Sequence, residues 1–307
     1  MAQYILKRLL SAIPTLFIIV TLSFFLVRAA PGGPFDSERG LPKIVEENLN
    51  AKYHLDESLL QQYGRYVWDL LHLDFGPSFQ YMDFTVTELI AQGVPVSMRL
   101  GFSAIIIAFL IGVSFGTIAA IRQNRATDYT VMTVAMTGIS IPNFVIAPLC
   151  ILFFAVTLGW LPAGGWNGGA FANTVLPILA LALPQIAYIS RITRGSMIEV
   201  LRSNFIRTAK AKGLSKSTII FRHALKPALL PVISYLGPAT AAVITGSVVI
   251  EQIFDIPGLG RFFVQGALNR DYTLVMGIVI FYGTIIIAFN FFVDLAYALL
   301  DPKVRYS

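Results

Sequence analysis

The sequence predicts an all-α integral membrane protein with six transmembrane helices. Three observations predict it. Of the 307 residues, 56% are apolar and only 13% are charged, whereas a water-soluble domain carries about a quarter charged residues. Six apolar stretches reach or approach the roughly 20 residues that a helix needs to cross the hydrocarbon core. Basic residues gather in alternate connections between those stretches, which is the charge bias that orients membrane helices.

The first stretch, 9–27, follows Lys7 and Arg8 and precedes Ala29-Ala30-Pro31-Gly32, so a signal peptide has to be weighed. Its apolar run is longer than a signal core of about 7 to 15 residues, which favours an uncleaved helix and a first region of residues 1–30. The second and third stretches are 100–121 and 131–158. The fourth, 174–189, is the shortest and holds Pro177 and Pro184; the fifth and sixth are 228–250 and 274–300. Inside hydrocarbon the backbone must bond to itself, so helices are the expected form. A continuous alternating pattern, as in a membrane barrel, is absent.

With the amino terminus inside, the inner segments are 1–8, 122–130, 190–227 and 301–307, and they hold 15 of the 23 basic residues. They hold three acids, Asp128, Glu199 and Asp301, while ten acids fall between Asp36 and Glu88 outside. Both termini are therefore expected in the cytoplasm. The net charge of +6 follows from topology, and no nucleic-acid partner is needed to explain it.

Residues 31–97 form the long extracytoplasmic segment. Leu59, Leu60, Tyr63, Tyr66, Val67, Leu70 and Leu71 recur there at helical spacing, with Asp56 as the expected N-cap and Gly76-Pro77 as the stop. Such a helix either lies against the outer face of the protein or offers a docking surface. Residues 98–307 form the core, and its long inner segment is 190–227. There the run 198–212 reads as helix, Gly213 breaks it, and Ser215 caps a second helix through Ser217, Ile219, Ile220, Phe221 and Ala224. Pro227 and Pro231 mark entry to the fifth span. The resulting elbow carries Arg207, Lys210, Lys212, Lys216, Arg222 and Lys226. A basic surface held against anionic lipid is one reading; the glycine bend between short helices fits better a protrusion that docks into a partner.

Several chemistries lack their residues. There is no Gly-x-x-x-x-Gly-Lys-Ser/Thr loop to cradle nucleotide phosphates. Gly112-Val113-Ser114-Phe115-Gly116 has nucleophile-elbow spacing, but it lies inside an apolar helix, and His54, His72 and His223 all fall outside the spans. The better reading is a small-residue face, Gly112 with Gly116, that lets two helices approach closely. Cys150 is the lone cysteine, so neither a disulfide nor a thiolate metal site is expected. Ion-coupled transporters place several ionisable groups within spans. Here Asp294 alone sits well inside one, and Arg28, Arg99, Arg191 and Glu251 stand at edges where they are expected to reach water.

At the elbow the sequence resembles the permeases of bacterial ATP-binding-cassette importers. More narrowly, it resembles the first of the two permease subunits of oligopeptide importers. The match is carried by Ser203-Asn204-Phe205-Ile206-Arg207-Thr208-Ala209-Lys210-Ala211-Lys212-Gly213-Leu214 and by Arg222-His223-Ala224-Leu225-Lys226-Pro227. Further matches are Ala29-Pro31-Gly32, Asp74-Phe75-Gly76-Pro77-Ser78, Thr245-Gly246-Ser247-Val248-Val249, Pro257-Gly258-Leu259-Gly260 and Asp301-Pro302-Lys303. The wider family has Glu-Ala-Ala in this loop, where Arg207 and Thr208 stand at the first two positions and only Ala209 and the later Gly213 agree. That glutamate's contacts therefore do not transfer.

The resemblance implies a type I importer permease in the bacterial cytoplasmic (inner) membrane. Its partners would be a second homologous permease, two ATPase subunits that bind ATP and Mg, an extracytoplasmic binding protein and a peptide substrate. No cofactor and no enzyme activity are implied for this chain. Arg207, Ala209, Lys210, Gly213 and Leu214 are the implied ATPase-coupling residues. A peptide path needs small uncharged polar groups, and Thr137, Ser140 and Asn143 in the third span and Thr240, Thr245 and Ser247 in the fifth supply them. For any one of these, ordinary helix contact is an equal reading. A dipeptide, glutathione or nickel importer remains open, and an ion-coupled secondary transporter and an intramembrane hydrolase are more distant readings.

Overall fold

The structure, a computed structural model, describes residues 2–29, 43–81 and 83–300. The Pro31-Gly32 and Asp301-Pro302-Lys303 matches and the basic tail 301–307 lie outside the described residues, as does the side chain of Asp294. Helices α1 (Ala2–Ala29), α2 (Lys43–Lys52) and α3 (Leu59–Leu71) come first, followed by the 36-residue α4 (Val86–Ile121). Next are α5 (Ala126–Ser140), α6 (Asn143–Cys150), which continues as a π turn to Thr157, and α7 (Phe171–Leu201). The elbow holds α8 (Asn204–Ala211), α9 (Lys216–Thr218) with a π turn over Ile219–Ala224, and α10 (Leu225–Ala228). α11 (Leu230–Gly246), α12 (Val248–Ile253), α13 (Leu259–Leu268) and α14 (Tyr272–Leu300) complete the chain.

Five described helices are long and apolar enough to cross a membrane, and α5 with α6 makes a sixth if that bent pair is one span. The pair bends by 104° at Ile141-Pro142, because proline forces the residue before it out of the helical region; Ile141 has ψ 122°. The apolar run across Pro142 hid that break. The fourth span is longer than its apolar run, extending through Arg191, Arg194 and Glu199 to Leu201. The second begins 14 residues before the expected residue 100, at Val86, and runs through Pro95.

The chain divides into two compact units. The first comprises residues 97–256 and the part of α14 from residue 288. Here Gly112 and Gly116 of α4 meet α7: a methyl group on Gly112 would stand 2.7 Å from Ile189 Cγ2, and one on Gly116 2.5 Å from the Ser190 carbonyl oxygen. The expected small-residue face is thus where the two helices touch, and Ser114 points away from it, its hydroxyl donating to the Leu110 carbonyl at 2.7 Å. At the start of α5, Asp128 is buried and accepts two bonds from Arg194 of α7, at 2.6 and 2.7 Å. It also accepts from the Asn124 N–H at 2.9 Å.

Glu251 corrects the expectation that it reaches water. It is 0% exposed. Ser97 Oγ donates to its Oε1 at 2.7 Å, and Ser247 Oγ reaches the same oxygen at 2.6 Å. A carboxylate this buried is tolerated because hydroxyl donors take the place of water.

The second unit comprises the segments before residue 97 together with 257–287. Val20 and Phe24 of α1, Tyr66 of α3, and Met276 and Ile280 of α14 form one apolar cluster, and Val86, Leu89, Ile90, Leu259, Leu274 and Ile278 another. The α3 helix is capped by Ser58, two residues later than the expected Asp56; the Ser58 N–H and hydroxyl both donate to Gln61 Oε1, a contact that Asp56 is too early to make. The Asp74–Ser78 match has a structural basis. Gly76 takes φ +85°, and Ser78 Oγ, Phe79 N and Gln80 N all donate to Asp271 Oδ2. Asp271 Oδ1 in turn accepts from Leu274 N at 3.1 Å, capping the start of α14.

Candidate functional site

The elbow is built on a buried anchor. Ile206 and Ala209 of α8 pack with Ala120, Met197, Ile219, Ala224 and Ala228, so one face of this short helix is fixed to the ends of α4 and α7. The expected unbroken helix over 198–212 is in fact two. α7 ends at Leu201, and Ser203, extended at ψ 157°, starts α8. Ser203 spends its hydroxyl on the Val200 carbonyl, which turns the chain at the corner. Gly213 has φ +74° with open space around its Cβ position; the backbone angle, rather than crowding, requires glycine there. The Gly213 N–H donates to Lys210 O and the Leu214 N–H to Ala209 O, closing α8. Ser215 Oγ accepts from Thr218 N, starting the next helix as expected.

Of the five residues expected to couple to an ATPase, Arg207, Lys210, Gly213 and Leu214 face outward, while Ala209 is 7% exposed and belongs to the anchor. Two outward residues escaped the sequence reading: Phe205, 50% exposed, and Phe221, 67% exposed. Their signal was the mismatch between apolar identity and position on the outer side of an amphipathic turn. The elbow thus presents aromatic and aliphatic side chains among cations, the composition of a docking patch. At its root Arg202 donates to Gln123 Oε1 at 3.1 Å, which ties the elbow to the turn between α4 and α5.

The polar candidates separate into two groups. Thr137 and Ser140 are exposed on α5 and line an open groove of about 470 Å³ with Met132, Met136, Asp128 and Arg194. Asn143 lies half-buried just past the α5–α6 break. Thr240 and Ser247 are buried; the Thr240 hydroxyl donates to Leu236 O, and Ile244 O at 2.9 Å is the alternative acceptor for the Ser247 hydroxyl that reaches Glu251. Thr245 is half-buried and bonds to Ala241 O. None of these three lines the α5 groove.

The profile of the family described as "Binding-protein-dependent transport system inner membrane component" matches residues 112–306, a stretch that includes the whole elbow. The chain belongs to this family. It is therefore an inner-membrane multi-pass transport component, and its transport system implies ATPase and binding-protein components. This inner-membrane component is 60% identical over 306 residues to the oligopeptide transport system permease protein OppB of Salmonella typhimurium, with 100% of both chains covered. It is 48% identical to the dipeptide transport system permease protein DppB of Bacillus subtilis, covering 99% of this chain and 98% of that one. A structure of the MetNI methionine ABC transporter in an inward-facing conformation aligns at TM-score 0.60 and 18% identity, over 69% of this chain and 96% of the other. That likeness extends the agreement to the fold.

Proposed function

We propose that this chain is a permease subunit of an ATP-driven oligopeptide importer. The observation that carries the reading is end-to-end similarity, at 60% identity, to a permease named for oligopeptide transport. It forms half of the translocation path beside a second homologous permease, and two ATPase subunits supply ATP and Mg chemistry from the cytoplasm. An extracytoplasmic binding protein selects the peptide and docks on the 31–97 segment. Both termini face the cytoplasm, the side on which most basic residues gather. A dipeptide importer is the second reading, favoured by the 48% match to DppB.

Arg207, Lys210, Gly213 and Leu214 meet the ATPase, with Ala209 holding α8 to the bundle. When the ATPase pair closes on ATP, the elbow moves as a rigid body and the span helices follow. Thr137, Ser140 and Asn143 form the wall of the path, and Thr240, Thr245 and Ser247 reach it when the bundle rearranges. Peptides of mixed sequence need such weak polar contacts, because a strong fixed site would retain some of them.

Uptake of labelled peptides into vesicles holding the complete importer tests this reading. Accumulation should require both ATPase partners and ATP, with oligopeptides preferred to dipeptides. Uptake that follows an ion gradient and ignores ATP would overturn it; a preference for dipeptides would select the second reading. Asn143→Trp and Thr245→Trp should each lower uptake at least about tenfold with assembly of the complex intact, since a bulky ring in the path blocks passage. Normal uptake by both variants would remove these residues from the path.

A further inference from the structure

Within the second unit, the end of α1, the 52–55 turn, α3, residues of the 75–79 loop and Thr273 line a half-open cavity of about 270 Å³, large enough for one amino-acid residue. Arg28, Lys52, His54, Gln62, Arg65 and Tyr66 are among its lining residues, and Asp69 is its one acidic lining residue. Glu57 already bonds Arg65 at 2.5 Å and lies 3.3 Å from His54. Arg28 and Lys52 have no carboxylate partner among the described residues. Arg28 instead lies over the Phe24 ring at 3.7 Å, with one N–H donated to Gln62 Oε1 at 3.0 Å. The Tyr66 hydroxyl is buried, with no hydrogen-bond partner in a side chain only 8% exposed.

A buried hydroxyl without a partner carries a desolvation cost, which a ligand that accepts from it would recover. Burial pushes the Tyr66 phenol well above its ordinary range, against the opposing pull of Arg28. It therefore keeps its proton and acts as a donor. Two cations without carboxylate partners, an idle donor and a residue-sized volume together select an anionic acceptor with two oxygens.

We propose that this outer cavity binds a carboxylate, with Arg28 and Lys52 supplying charge and Tyr66 supplying a neutral donor. The proposal rests on the importer reading, which brings two carboxylate sources to this segment: the free carboxyl terminus of a peptide and an acidic side chain of the binding protein. It places on this chain a carboxylate-recognition step that precedes entry into the membrane path, whichever of the two supplies the group.

The test uses the complete importer in lipid nanodiscs. Trialanine bearing a photoreactive diazirine is cross-linked in the absence of binding protein, and adducts are mapped by mass spectrometry. Adducts within residues 52–79 are expected, reduced about tenfold for the carboxamide form of the probe and for Tyr66→Phe and Arg28→Gln. In a second arm, the affinity of the binding protein for the importer is measured with the same variants. A loss in the first arm identifies the peptide terminus as the ligand; a loss of about tenfold confined to the second identifies an acidic side chain of the binding protein. Unchanged adducts together with unchanged binding-protein affinity overturn the proposal. Tyr66→Phe removes only a hydroxyl that bonds to nothing, so a folding defect is not expected from it. ATP-driven uptake by the unmodified importer is recorded in parallel: its absence counts against the importer reading, and its presence beside two silent arms counts against the cavity alone.

Discussion

Replacing Asp128 with alanine is expected to destabilise the chain by about 3 kcal/mol, the low end for removing one partner of a buried pair. The discount from the full range reflects Arg194, whose side chain keeps 28% of its exposure while that of Asp128 keeps 1%. Three donors lose their acceptor together: two guanidinium N–H groups and the Asn124 N–H. Asn124 has φ +60°, a conformation disfavoured without local hydrogen bonding, so the turn between α4 and α5 loosens as well. Asp128→Asn keeps the size and one acceptor, and it should cost about half as much. Reversible unfolding in mixed micelles, followed by circular dichroism, measures both. An alanine variant as stable as the parent protein would show that water at the protein surface already solvates Arg194, and the pair would then carry no structural weight.

Asp128 also shows where sequence reading stopped. Its position beside Arg122 and Arg125 placed it in a short inner connection, and nothing in spacing pairs it with a residue 66 positions away. The existence of the spans was legible because hydrocarbon imposes a length and a composition. Their ends were less so. α7 continues past Ile189 because Ser190, Thr193 and Met197 are buried inside the protein, and polar residues that face protein rather than lipid do not end a helix. The 104° bend at Ile141-Pro142 was concealed for the opposite reason, since an apolar run looks the same whether it is straight or broken. Glu251 was misplaced because an apolar stretch ending in a carboxylate reads as a boundary; Ser97, whose hydroxyl makes burial tolerable, is 154 residues away. Gly112 and Gly116 were readable from four-residue spacing alone, although their partner helix was not. At the elbow, the glycine hinge and the Ser215 cap followed from local chemistry. The division of α8 into an anchored face and a free face needed the packing of Ile206 against Met197.

That division sets the second expected result. Arg207→Glu together with Lys210→Glu should lower ATP-driven uptake by at least about 30-fold, with insertion and pairing of the permeases unchanged. Both side chains are exposed, so reversal costs little within this chain. Its effect is expected at the proposed ATPase contact: acidic partner groups opposite these cations would then face like charges, at a cost of about 2 kcal/mol or more. Gly213→Val acts through geometry. A β-branched residue at φ +74° is strained by about 1–3 kcal/mol, and relieving that strain re-aims α9 relative to α8. Uptake should fall although no charge has changed. Gly213→Asn separates angle from flexibility: asparagine tolerates the left-handed region, so near-normal uptake is expected if the angle is what matters. Co-purification of the ATPase should fall with the double reversal and survive in Gly213→Asn. A double-reversal variant that retained full uptake and normal ATPase binding would mean that the exposed cations serve membrane orientation alone, leaving Phe205, Leu214 and Phe221 as the surface that transmits the stroke.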